Sequence, residues 1–232
     1  EYDLADRTVE INRAAVANAR IAIGERTGCY VVGSVGPTTK LPSLSHISVE
    51  ALAVTLGEQI RALVEAGVDA LAIETCQDLL QVKVALVACF EVLEELGREL
   101  PVLVSVTMER QGTMLVGSDI AAICATLEPF PIFSLGLNCA TGPSDMASHI
   151  RYLSHNWPQR ISCMPNQGLP EVVDGKTHYP MQPEDFVHHM RQFIEKDGVS
   201  IVGGCCGTTP DHIRQLAAAC SGLSPAKREV TV

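Results

Sequence analysis

Six times in this sequence a helix-patterned stretch runs into a short, continuously apolar segment, and that alternation limits the available folds more than any single motif. "LADRTVEINRAAVANARIA" precedes "CYVVGSVGP", and "SVEALAVTLGEQIRALVEAG" precedes "DALAIETC". "LQVKVALVACFEVLEELG" leads into "PVLVSVTM", and "SDIAAICATLEP" into "IFSLGLNC". "PSDMASHIRYLSHN" leads into "RISCMPNQG", and "PEDFVHHMRQFIEKDG" into "VSIVGGCC", with a closing helix in "TPDHIRQLAAACSGL". The long segments carry apolar residues at three- and four-residue spacing and stop at glycine, as amphipathic helices do. The short ones read as apolar throughout, the pattern of parallel strands covered on both faces.

Such an alternation admits an open doubly wound sheet or a closed barrel. The strand ends decide between them, since each carries groups able to do chemistry: "GSVGPT", "IETCQD", "SVTMER", "GLNCATGP", "CMPNQG" and "GGCCGTT". In a barrel all of these ring one mouth and can converge on one ligand. A doubly wound sheet concentrates function at a switch point and usually carries G-x-G-x-x-G after its first strand, which is absent here. The expected fold is therefore an α/β (β/α)8 TIM barrel. Six strands fall short of eight, so two leading strands are expected outside this sequence. Residues 1–223 form the expected barrel domain, and residues 224–232, "SPAKREVTV", the start of a linker.

Composition narrows the function. The chain of 232 residues has a net charge of −10 and no basic run, which argues against a nucleic-acid partner or an anionic membrane. No apolar run reaches the ~18 residues needed to span a bilayer, and no charged-then-apolar leader opens the sequence. Nine cysteines form an odd set in a chain too large to need staples, which points to reduced thiols and a cytoplasmic setting. Cys29, Cys76, Cys89, Cys124, Cys163 and Cys220 lie among apolar neighbours and are expected to be buried small hydrophobes.

Cys205 and Cys206 are different. Adjacent residues of a strand face opposite sides, so two neighbouring thiols reach one point only where the backbone leaves β geometry. Gly203, Gly204 and Gly207 are expected to supply that freedom. A third thiol, Cys139, ends an earlier strand in "GLNCATGP". Three thiolates at a barrel mouth would suit zinc with its fourth position open to a substrate. A vicinal redox pair and a pair of buried structural thiols are the alternatives, although redox pairs usually take C-x-x-C spacing. His149, His155, His188, His189 and His212 all fall within helical stretches and are set aside as ligands; "GTTPDHI" reads as a helix start, with Thr209 as cap and Pro210 in the first position. That helix would point its positive end at the thiolates. Glu74, at the end of "LAIETC", is a candidate to contact a ligand, with a plain ion-paired strand-end carboxylate as the alternative. Asn138 and Asn166 are candidates to orient ligands or to donate hydrogen bonds to metal-bound sulfur, with a plain turn role as the alternative for Asn166; Ser105 and Thr107 stand equal.

"GLNCATGP" followed by "VGGCCGTTPDHI", with "IETCQDLLQVKVAL", "MPNQGLP" and "DGKTHYP", resembles the homocysteine S-methyltransferase family over nearly the whole chain. "GSVGPTTKLPS", "NCATGP" and "PNQGLP" look closer to the homocysteine-binding module of cobalamin-dependent methionine synthases than to the betaine or S-methylmethionine branches. The resemblance implies a zinc-dependent (β/α)8 barrel whose metal ligands fall on Cys139, Cys205 and Cys206, with Glu74 on the homocysteine ammonium. The family's opening strand, which contributes an aspartate, has no counterpart here. The implied reaction is methylation of homocysteine to methionine, with no protein nucleophile. The implied donor is methylcobalamin on another module, accompanied by a methyltetrahydrofolate-binding module in the same polypeptide. A corrinoid-independent methyltransferase and a structural zinc or dithiol module are the competing functions.

Overall fold

A computed structural model describes residues 3–230, which form two compact units. The first takes the chain up to Leu103 together with Phe130–Ile132; the second takes Val104–Pro129 and the chain from Phe133 onward.

The first unit contains α1 (Thr8–Ile23), β1 (Val32–Val35), α2 (Val49–Glu65), β2 (Ala70–Cys76), α3 (Leu79–Glu95) and the start of β3 (Val102–Val106). Side chains at the helix starts satisfy the free N–H groups there: Ser48 accepts from Ala51 N–H before α2, and Asp78 from Leu80 N–H before α3. Asp78 is wholly buried, and its carboxylate also accepts from the Ser43 N–H at 2.9 Å and hydroxyl at 2.7 Å. Val82, Leu86, Cys89 and Leu93 line the inner side of α3. β1 and β2 pair in parallel with Val35 opposite Ile73. β1 departs from the expected continuous burial: Val31, Gly33 and Val35 are buried while Val32 and Ser34 are exposed. It stands first in the strand order with β2 its neighbour, and only one of its faces is covered.

The second unit contains the rest of β3, then α4 (Ile120–Leu127), β4 (Ser134–Asn138), α5 (Pro143–Asn156), β5 (Arg160–Met164), β6 (Glu171–Val173), β7 (Lys176–His178), α6 (Pro183–Asp197), β8 (Ile201–Val202) and α7 (Pro210–Cys220). β4 pairs in parallel with β5, and β5 with β8. Every residue of β4 is buried, as a strand covered on both faces requires. Backbones approach closely here: a Cβ on Gly136 would stand 2.0 Å from the Ser162 carbonyl oxygen across the pair. Phe186, Met190, Phe193 and Ile194 form the buried stripe of α6, which ends at Gly198 in the left-handed region.

The α/β alternation and the parallel strands agree with the sequence. The described residues provide six parallel strands, so an eight-stranded ring is not built from them alone. β6 and β7 form an antiparallel hairpin that the alternation did not reveal. Its turn residues, Asp174 and Gly175, both have positive φ, the geometry for which Asp-Gly is favoured. Residues 224–230, expected to begin a linker, take no regular structure but are fastened to the unit. Ala226 N–H donates to the Ile194 carbonyl at 2.9 Å, and the Arg228 guanidinium donates to the Trp157 carbonyl at 2.7 Å and to that of Gln159. Among the described residues no helix is long and apolar enough to cross a membrane.

Gly136→Ala should be among the most damaging single-methyl changes in this chain. We expect a loss of about 2–3 kcal/mol, seen as a lower urea midpoint at unchanged slope.

Candidate metal centre

Three strand-end loops of the second unit meet at one place, after β4, β5 and β8. Main-chain hydrogen bonds stitch them together. Cys139 N–H donates to the Met164 carbonyl at 3.2 Å, Asn166 N–H to Thr141 at 3.1 Å, Cys205 N–H to Pro165 at 2.9 Å, and Gln167 N–H to Cys206 at 3.0 Å. The backbone of each loop is thereby fixed against the next before any side chain is considered.

The first loop turns sharply. Cys139 and Ala140 have φ of 63° and 55°, a left-handed conformation that costs a non-glycine residue on the order of 1–3 kcal/mol. The turn lets Asn138 and Cys139, which a regular strand would send to opposite faces, serve one site. The Asn138 amide donates to Cys205 Sγ at 3.8 Å, and Cys139 Sγ lies 3.9 Å from Cys206 Sγ. Thr107, just beyond β3, holds this loop by donating to the Asn138 carbonyl at 3.1 Å, whereas the Ser105 hydroxyl is buried with no protein partner.

The glycine frame around the vicinal pair works differently from expectation. Only Gly207 has positive φ, at 80°, as the third residue of the turn closed by Thr208 N–H on the Cys205 carbonyl. Gly204 is needed for space, since a Cβ there would stand 2.3 Å from Thr208 Cγ2. A Cβ on Gly207 would likewise run into the Tyr179 ring at 2.4 Å. Gly203 has no positive φ, and the nearest atom to an added Cβ is Met164 Cγ at 3.4 Å, an ordinary contact.

The Sγ atoms of Cys139, Cys205 and Cys206 lie within 4.8 Å of one another. Zn–S bonds of about 2.3 Å at tetrahedral angles place two sulfurs roughly 3.8 Å apart, so this set fits a zinc ion. No fourth Cys, His, Asp or Glu joins them among the described residues, which leaves a fourth position for another ligand. Cys139 is pulled down to about 5 because its thiolate accepts a hydrogen bond from Cys205, then from the Ala140 N–H, Cys206 and Asn166, against the opposing effect of burial. Cys205 moves up because it donates to that charged sulfur and is half-buried. The cluster therefore gives up one proton readily and holds the next against the negative charge already present. Buried thiols elsewhere behave in the opposite way: burial pushes Cys76 and Cys89 up to about 12.

The structure thus brings together Cys139, Cys205, Cys206, Asn138 and Asn166. Asn166 is more than a turn residue: its Oδ1 accepts from Cys206 N–H at 3.0 Å, and its side chain also bonds Cys139. Glu74 lies in the first unit at the end of β2, half-buried, where its carboxylate accepts from the Ser34 hydroxyl. Of the six cysteines expected to be buried, Cys76, Cys89, Cys124 and Cys163 are; Cys29 is exposed and Cys220 partly so. Both lie near the ends of helices or loops, where apolar neighbours in sequence give no cover in space. α7 begins as expected, with Thr209 as cap and Pro210 first. His212 takes part in that cap: its Nδ1 accepts from the Thr209 N–H at 3.3 Å and hydroxyl at 2.8 Å, which leaves the proton on Nε2, 3.3 Å from the Met181 carbonyl.

Tyr179 was missed by sequence reasoning. It follows β7, and its ring rests on Gly207. Its pKa is raised by burial and by the neighbouring Cys206 charge. The Asp-Gly turn upstream was the available signal for the hairpin that presents it.

Residues 1–220 match the sequence model of the family described as homocysteine S-methyltransferase. A methionine synthase of Mycobacterium leprae is 44% identical over 223 residues, which cover 94% of this chain and 18% of that protein. A methionine synthase of Mycobacterium tuberculosis is 41% identical over 236 aligned positions, covering 100% of this chain and 20% of that protein. The chain therefore spans about a fifth of the length of these relatives. Crystal structures of the homocysteine methyltransferase MmuM from Escherichia coli superpose with TM-scores of 0.70 for the apo form, at 24% identity, and 0.66 for the metallated form, at 25%. These alignments cover 93% of this chain and 74% and 69% of the MmuM chains.

In metal-free protein, Cys139 should react with iodoacetamide as a thiolate at pH values above about 5 and lose reactivity below it. Replacing Cys205 with alanine removes the largest contribution and should move this profile upward, as followed by peptide mass spectrometry of labelled protein.

Proposed function

Because the chain belongs to the homocysteine S-methyltransferase family, we propose that it binds zinc and homocysteine and methylates the homocysteine thiol to methionine. The observation that supports this reading is the convergence of three cysteine sulfurs with no fourth Cys, His, Asp or Glu among the described residues. Cys139, Cys205 and Cys206 would hold the metal. Zinc, when bound, supplies Lewis-acid activation, which takes the proton from a thiol near neutral pH and leaves the sulfur nucleophilic.

The chain's own residues do the positioning. Asn138 directs an amide hydrogen at the Cys205 sulfur, and Asn166 ties Cys206 to Cys139. Both act on the substrate through the sulfurs they orient. Glu74 would pair with the homocysteine ammonium, a task suited to a half-buried carboxylate at a strand end. In the transfer, the homocysteine sulfur forms a bond to the methyl carbon as the bond from methyl to donor breaks, and the thiol proton leaves to solvent. No side chain serves as nucleophile.

Methylcobalamin on another module is the proposed donor, with a methyltetrahydrofolate-binding module in the same polypeptide. The high identity to methionine synthases several times longer than this chain supports this arrangement. Nine free thiols support a reducing, cytoplasmic setting.

The purified protein should carry about one zinc per chain, and adding homocysteine should release a proton. Cys139→Ala and Cys206→Ala should abolish both. Failure of the unaltered protein to bind zinc, or proton release that survives the cysteine changes, defeats the proposal. Glu74→Gln should raise KM for homocysteine on the order of tenfold with kcat little altered, as loss of a ground-state charge contact predicts.

A further inference from the structure

In the first unit, β1 and β2 carry a polar pair that the cysteine chemistry does not use. In their parallel register Ser34 stands opposite Ala72 and Val35 opposite Ile73. Ser34 and Glu74 are therefore diagonal neighbours on one face of the pair, within reach of a side chain as long as glutamate. Ala72 carries only a methyl group and does not separate them, and the Ser34 hydroxyl donates to Glu74 Oε1. The opposite face is the packed one: Gly33, Val35, Leu71 and Ile73 are buried, whereas Ser34 is exposed and Glu74 half-buried. The backbone is held on both strands. Gln59 Nε2 donates to the Ser34 carbonyl at 3.3 Å, and Cys76 Sγ to the Glu74 carbonyl at 3.7 Å. Thr75, directly after Glu74, has a φ of 61°, an outlier for a β-branched residue. Among the described residues no Lys, Arg or His forms an ion pair with Glu74.

We propose that Ser34 is a positioning residue for homocysteine binding, its hydroxyl holding Glu74 Oε1 so that the rest of the carboxylate faces the substrate ammonium. The proposal rests on the reading of Glu74 given above. A glutamate side chain has high rotamer freedom, which is lost when it clamps a ligand. The bond from Ser34 restricts that freedom before substrate arrives. A carboxylate offers about four lone-pair sites and the serine occupies one, which leaves the others for a charge-assisted bond to the ammonium. Because the hydroxyl is neutral, it orients the carboxylate without cancelling its charge, as a lysine or arginine in its place would do. The left-handed Thr75 fits the same task, since backbone strain gathers where a ligand must be clamped.

Ser34→Ala removes the donor and Ser34→Thr keeps it. The two ligands to compare by calorimetry in the full-length protein are homocysteine and 4-mercaptobutyrate, which has the same thiol and carboxylate but no ammonium. Ser34→Ala should raise the Kd for homocysteine on the order of 3–10-fold and leave that for 4-mercaptobutyrate unchanged, whereas Ser34→Thr should bind both as the unaltered protein does. A merely structural role for the serine would weaken both ligands alike. In a Glu74→Gln background, Ser34→Ala should add nothing further, because the two changes act on one contact. If Glu74→Gln weakens homocysteine while Ser34→Ala does not, or if Ser34→Ala weakens both ligands equally, the role of Ser34 is overturned and that of Glu74 stands. If Glu74→Gln leaves the preference for homocysteine over 4-mercaptobutyrate intact, the reading of Glu74 falls and the role of Ser34 with it.

Discussion

The structure of the second unit depends on main-chain hydrogen bonds between loops that are remote in sequence. Cys139 N–H on Met164, Asn166 N–H on Thr141, Cys205 N–H on Pro165 and Gln167 N–H on Cys206 lock the ends of β4, β5 and β8 to one another. Sulfur makes weak hydrogen bonds, and once one thiol of the set has ionised, its charge opposes ionisation of the next. Their proximity is therefore imposed on the side chains by the backbone.

That imposition has identifiable costs. Two successive non-glycine residues, Cys139 and Ala140, are held in the left-handed region, and Gly204 and Gly207 stand where any larger residue would collide with Thr208 or Tyr179. Strain of this kind persists only where surrounding contacts over-determine it. Here the cost falls where β4 must present both Asn138 and Cys139 to one point, and it is offset by buried, fully paired strands beneath. The same arrangement accounts for the contrast among the cysteines: thiols deep in the packed layers are driven toward protonation, while the one set among sulfur and amide donors is driven the other way.

Membership of the homocysteine S-methyltransferase family gives this geometry a chemical context. A methyl acceptor needs a deprotonated sulfur and an open approach, and a metal held by three cysteine sulfurs, with no fourth Cys, His, Asp or Glu among the described residues, would suit both needs. The segment after the hairpin is tied to the same loops, since the Met181 carbonyl accepts from the Gln167 side chain and the Tyr179 ring packs against Gly207.

Much of this was legible in the order of residues. Helix and strand alternation follows from the 3.6-residue periodicity of the helices and the short continuously apolar runs of the strands, which are local, and the capping of α7 by Thr209 and Pro210 is local too. The cluster was legible because the vicinal pair is framed by glycine and Cys139 stands at an earlier strand end, after Asn138 and before Thr141-Gly142-Pro143. What stayed hidden was non-local. The one-sided burial of β1, the exposure of Cys29, the steric duty of Gly204, the attachment of Arg228 to the end of α5 and the seat of Tyr179 over Gly207 depend on what packs across from each residue. The amino-acid order by itself determined the elements and the chemistry of the donor set, because both are properties of short segments. Only tertiary structure decided which donors meet and which residues hold and cover them, because the hydrogen bonds that unite three loops join positions tens of residues apart.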